Sequence, residues 1–188
     1  MDKEKEELHW FEKLPKKKRE QRKRRANNEG NPASGNRQQR AVKKEVNLVK
    51  YVNEVERWID EVSAYLKTGD RKDWAWNALR GVLQGLRDRV PPAEVFQLSA
   101  QFPMLIRGLF LEGYQLGNKP EKFNRSELET RIDMAVGPAV DFDSSTAFKA
   151  VLLVLYDHVS EGELQDVYAT LPKDIRQLWD SSLEKHSV

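Results

Sequence analysis

Beyond residue 41, apolar side chains return at helical spacing along most of the chain, and no stretch alternates polar and apolar over strand length. Val55, Trp58, Ile59, Val62 and Leu66 put one apolar face on a first helix, with Val42, Val46 and Val49 placed to prefix it. Lys67 to Gly69 predict its stop, and Asp70 is placed to cap a second helix. That second helix carries Ala75, Leu79, Val82, Leu83, Leu86 and Val90 on one side. Pro91-Pro92 breaks it and suits the first turn of a third, which faces inward through Val95, Leu98 and Phe102. Pro103 starts a fourth with Leu105, Ile106, Leu109 and Phe110.

A connector with Gly and Pro runs from Gly113 to Phe123, and the pattern then recurs. Ser126 and Glu129 have the spacing of a capping box, followed by Leu128, Ile132 and Val136 and ended by Gly137-Pro138. A sixth helix is expected from about residue 143 to 158. Ser160 and Glu163 have capping-box spacing before a seventh with Leu164, Val167 and Leu171. Pro172 precedes an eighth with Ile175, Leu178 and Trp179.

The recurrence is an internal repeat. Leu79 to Phe110 aligns with Phe148 to Trp179 without a gap at an offset of 69, and 11 of 32 positions are identical. The identities include Asp88/Asp157, Glu94/Glu163 and Arg107/Arg176 within an otherwise apolar pattern. The expected fold is all-α: two tandem four-helix repeats related by an approximate two-fold, preceded by a flexible basic arm. The repeats span about residues 50–113 and 124–182 of a duplicated domain at 41–188. One repeat of about 60 residues makes a marginal core, whereas two can bury a continuous one.

Charge divides the 188-residue chain unevenly. Residues 1–50 hold 16 Lys/Arg against 8 Asp/Glu, a net of +8, while residues 51–188 hold 16 against 22, a net of −6. Within the arm, 1–40, KKKREQRKRR at 16–25 repels itself and offers nothing to bury, so disorder in the free state is expected. The Asn, Gly, Gln and Ser that follow have linker composition. Lys13, Lys16, Lys17, Lys18, Arg19, Arg22, Lys23, Arg24 and Arg25 are the candidate contacts to nucleic-acid phosphates. Leu8, Trp10, Phe11 and Leu14 are the candidate partner anchor, with Leu8, Phe11 and Leu14 three residues apart. There are no cysteines, which excludes disulfides, thiolate metal sites and Cys nucleophiles. The start has no apolar core of a secretory signal, and the longest mainly apolar run, Ala150 to Tyr156, is too short to span a bilayer. The expected location is the cytoplasm, without integral membrane insertion.

The helix-two pattern at Ala78 and Ala147, the P/S-x-x-E start that follows, and the I-R-x-L-F/W ending at Phe110 and Trp179 resemble the bacterial domain-of-unknown-function family 2267. The resemblance covers about residues 50–182 and is most specific in GELQDVYATLPKDIRQLW. It implies a duplicated helical fold and brings no activity, cofactor or catalytic residue. The first copy departs from it at Pro91-Pro92 and at Trp74 and Trp76, and the arm lies outside it.

His9, His158 and His186 show no metal-ligand spacing, and the carboxylates Glu54, Glu56, Asp60 and Glu61 read as a solvated helix face. Asp88/Asp157 and Arg107/Arg176 are expected to pair within each repeat, since the guanidinium fork suits a carboxylate. Gly81 and Gly85, four apart, suit a close helix approach. Of Trp74 and Trp76, one is expected in the core and the other at the surface. No catalytic residue, cofactor or metal is expected. The expected function is a non-enzymatic binding protein that contacts RNA or DNA phosphates through its arm without reading sequence, the helical body serving as a docking module. The alternative is a protein-interaction adaptor tethered by the arm to a protein assembly or an anionic membrane surface.

Overall fold

A computed structural model describes residues 47–184. The arm candidates from Leu8 to Arg25, together with Val42, Val46 and His186, lie outside the described residues. Those described form eight α-helices and no strand: α1 Leu48–Leu66, α2 Lys72–Arg89, α3 Pro92–Ala100, α4 Met104–Leu111, α5 Arg125–Val136, α6 Ser144–His158, α7 Glu161–Thr170 and α8 Lys173–Leu183.

Local chemistry sets the ends. Asn47 caps α1 through its side chain, and Lys67 closes it in the left-handed region at φ 59°. Proline precedes α3, α4 and α8, where the missing N–H costs no helical bond. Asp143 accepts from the Thr146 N–H at 2.7 Å to start α6. Three expected caps differ. Arg71, not Asp70, precedes α2 and makes no side-chain capping bond; it pairs instead with Asp73. The capping box of α5 is Asn124 with Glu127, not Ser126 with Glu129, because Asn124 already occupies the position outside the first turn. Glu129 pairs with Arg125 at 2.7 Å. At α7 only half a box forms, the Ser160 hydroxyl accepting from the Glu163 N–H at 3.4 Å.

The helices of the two copies interleave. α5 packs against α2 of the first copy, and α1 against α6 of the second. α1–α2 matches α5–α6, α2–α4 matches α6–α8, and α1–α4 matches α5–α8. α2 meets α6 and α3 meets α7, each against its own equivalent. This pairing is compatible with an approximate two-fold between the copies. α6 lies at the centre, buried from Ala150 through Tyr156, which explains its apolar run on all sides. One buried cluster runs through both copies, from Trp58 and Leu79 to Phe148 and Trp179.

α5 approaches α2 closely at two glycines. A Cβ at Gly81 would lie 2.9 Å from Ala135 Cβ, and one at Gly85 would lie 2.5 Å from Leu128 Cδ1. The two glycines therefore do what their spacing suggested. Ala150 and Val154 occupy the equivalent positions in α6.

Candidate functional site

The polar centre of the body is built where α2 ends. Arg87, 5% exposed, donates through Nη1 to the carbonyls of Phe110 and Glu112, both at 2.7 Å. It also grips its neighbour Asp88 through Nε at 2.9 Å and Nη2 at 3.1 Å. Lys119, from the connector, donates to Asp88 at 2.7 Å and to Glu121 at 2.6 Å. Arg131 of α5 donates to Glu121 at 2.8 Å, and the Glu121 N–H reaches the Asp88 carbonyl, also at 2.8 Å. Together these bonds clamp the connector against α2 and α5.

Burial alone would push the Asp88 carboxyl up, but hydrogen bonds from Arg87 and Lys119 outweigh it and hold the group below its ordinary range. Burial would push Lys119 down, and the bonds to Asp88 and Glu121 reverse that too. The Lys119 bond and, behind it, Arg131 hold Glu121 low. Tyr114 lies beneath the Lys119 ammonium and Arg87, each 5.4 Å from its ring centre.

The expected Asp88–Arg107 pair does not form. Arg107 turns to the end of α3 and donates to the carbonyls of Ser99 at 2.8 Å, Ala100 at 3.3 Å and Phe102 at 3.2 Å. Carbonyls left over at a helix end draw the guanidinium, and Asp88 already has closer cations. Arg176 lies over the Tyr168 ring at 5.8 Å. Sequence reasoning missed Arg87, Arg131, Lys119 and Glu121. The one signal for Lys119 and Glu121 was opposite charge two apart in a connector read only for its Gly and Pro.

At the equivalent end of α6 the surroundings differ. His158 Nε2 lies 2.6 Å from Glu61 Oε2, and its ring stacks on Trp58 at 4.6 Å. Burial, then Asp157 and Glu61, push the Tyr65 hydroxyl up to about 12. The bonds of Arg89, His158's counterpart, differ as well: it donates to the Phe123 carbonyl at 3.1 Å. Trp74 and Trp76 are both half-buried, Trp74 under the Arg71 guanidinium at 4.1 Å and Trp76 against the core. Among the described residues the fully buried tryptophans are Trp58 and Trp179.

Exposed large apolar residues include Leu48, Val49 and Val52 at the start of α1, Phe96 on α3, and Leu116 in the connector. Among the described residues no three His, Asp or Glu side chains gather as a metal site, and no helix is long and apolar enough to cross a membrane.

The structure is thus that of an all-helical domain whose polar centre ties a connector to its core. Its family follows from the chain itself: the model of the uncharacterized conserved proteins DUF2267 matches residues 55–178, and the chain belongs to that family. No curated protein matches the chain significantly.

Proposed function

We propose that this chain is a non-enzymatic binding protein of the bacterial cytoplasm that uses its N-terminal arm to contact nucleic-acid phosphates, with the helical body as a docking module. The observation that carries this reading is the charge division. Nine Lys/Arg stand between Lys13 and Arg25 against the single acid Glu20, whereas residues 51–188 carry a net charge of −6. Several cations of the body are committed internally: Arg87, Arg89 and Arg107 to carbonyls, and Lys119 and Arg131 to carboxylates. That commitment favours the arm over the body as the phosphate-binding element. After Phe11 the arm has no aromatic residue up to Leu48, which favours backbone contact over base stacking.

With about six phosphates engaged on a duplex, the log–log salt slope is near −5, and affinity falls roughly a thousandfold between about 50 and 200 mM salt. Titrating duplex and single-stranded nucleic acid across salt tests this, with a variant carrying Gln at every Lys/Arg of residues 16–25. Equal binding by that variant, or no binding by the parent at low salt, overturns the reading. The adaptor reading has its own support in the exposed Leu48, Val49 and Val52 where the arm joins the body, and in Leu8, Trp10, Phe11 and Leu14. Retention of a bound partner after nuclease treatment favours it.

A further inference from the structure

α1 carries its apolar stripe farther than the body covers it. Leu48, Val52, Val55, Ile59, Val62 and Leu66 follow one another at spacings of 4, 3, 4, 3 and 4, which keeps them on one face. Val62 and Leu66 are buried, and Val55 and Ile59 pack against the core. Toward the start of the helix the cover ends: Val52 is 48% exposed and Leu48 62%, with Val49 at 64%. An apolar patch at the edge of a core is a seat for another segment.

The arm enters the fold at this patch, since Asn47 caps α1. The arm and α1 also carry their charges in opposite order. Residues 2–7 hold 4 acids and 2 bases, a net of −2; the apolar Leu8, Phe11 and Leu14 follow; residues 16–25 then hold 8 bases and 1 acid, a net of +7. Residues 43–50 hold 3 bases and 1 acid, a net of +2; the apolar turn at Leu48 to Val52 overlaps them; residues 54–61 then hold 4 acids and Arg57, a net of −3. Laid side by side in the same direction, acid meets base, apolar meets apolar and base meets acid. The opposite direction sets the basic run against Lys43, Lys44 and Lys50. Complementarity of this kind fixes direction and register. Asp60 and Lys72 pair at the surface with side chains 54% and 57% exposed, so an arm cation can exchange for Lys72 there.

The lengths agree. α1 has 19 residues and is about 28 Å long. Arg25 and Asn47 are 22 residues apart, and a linker of that length spans about 26 Å on average. A basic run laid to the far end of α1 therefore returns to Asn47 without stretching. The tether holds the arm at about millimolar effective concentration, so a weak contact suffices.

We propose that residues 8–14 of the arm seat on Leu48, Val49 and Val52 of their own body, and that this lays the basic run 16–25 along the acidic part of α1 and withholds it from nucleic acid. The arrangement presupposes the phosphate-binding role proposed for that run. A duplex, with denser negative charge, displaces the acids of α1. With about one arm in five open, apparent affinity is about fivefold below that of the open arm.

The chain has no cysteine, so Glu12→Cys carries a single nitroxide label in the full chain. NMR amide signals of Leu48 to Val52 are expected to broaden more in this chain than in one that also carries Leu8→Ser, Phe11→Ser and Leu14→Ser. The excess disappears when duplex is added, and the triple-Ser variant binds duplex about fivefold more tightly at the same salt. Equal broadening in the two chains overturns the seat. So does broadening that arises only between separate labelled and isotope-enriched molecules, which makes a second copy the occupant. Equal duplex affinity of the two chains, with the excess broadening present, overturns the withholding. The broadening is read without nucleic acid. A triple-Ser variant that binds no duplex at low salt therefore overturns the phosphate-binding role, and the withholding with it, while the seat stands or falls by the broadening.

Discussion

Asp88 holds two buried cations at once, Arg87 and Lys119, whose side chains are 6% and 7% exposed. Asp88→Asn leaves Arg87 without its counter-charge and Lys119 with Glu121 alone. We expect a loss of about 3 kcal/mol or more in urea unfolding at neutral pH. Arg107→Ala removes an exposed guanidinium that caps carbonyls, and about 1 kcal/mol is expected by the same measurement. The pH dependence has a definite sign. Asp88 and Glu121 are held low in the fold, so their contribution is present above the ordinary carboxylate range and is lost as pH falls through their depressed values. Stability measured against pH drops on the acid side, and Asp88→Asn flattens that limb. The repeat alignment made Asp88 and Arg107 conspicuous but paired them wrongly. Conserved spacing between two copies says that a position matters to the unit, not which partner is nearest. The partner was decided by a connector lysine 31 residues away.

The helices were legible because each has a repeating apolar face and a chemical boundary. Pro91-Pro92, Pro103 and Pro172 mark their starts with a residue that cannot continue the preceding helix. Caps made by side chains were less legible. Asn124 and Ser126 both satisfy a capping pattern, and the start of α5 is settled by where the connector is clamped. Glycines separate propensity from packing. Gly108 lies within α4 with nothing within 4 Å of an added Cβ, so Gly108→Ala is expected to stabilise by about 0.5–1 kcal/mol. Gly81 lies under α5, with Ala135 Cβ at 2.9 Å and Ile132 Cα at 3.4 Å from an added Cβ. A neighbouring helix backbone cannot turn aside, so Gly81→Ala is expected to destabilise by about 1–2 kcal/mol despite the better propensity. Thermal melts of the two single variants, moving in opposite directions, check this pair of expectations. At Gly85 the obstacle is the tip of Leu128, which can move, and the cost is smaller.

Interleaving makes the body one cooperative unit. α1 needs α6 and α2 needs α5, so neither copy owns its own core. A fragment of residues 46–188 is expected to give a helical spectrum and one melt, with full-length stability to within about 1 kcal/mol. A fragment of residues 46–113 alone should fail to melt cooperatively, because α2 loses both α5 and α6. A stable, cooperative single copy overturns this picture. By itself the amino-acid sequence determined the helical class, the duplication, most helix boundaries, the glycine approach and the uneven charge, because each depends on spacing or composition within a short window. Tertiary structure alone decided that helices cross between copies and that the connector is held by Arg87, Asp88, Lys119 and Glu121. These depend on which surfaces meet at distances of 30 to 70 residues along the chain, where apolar faces are interchangeable and only shape and charge in three dimensions choose among them.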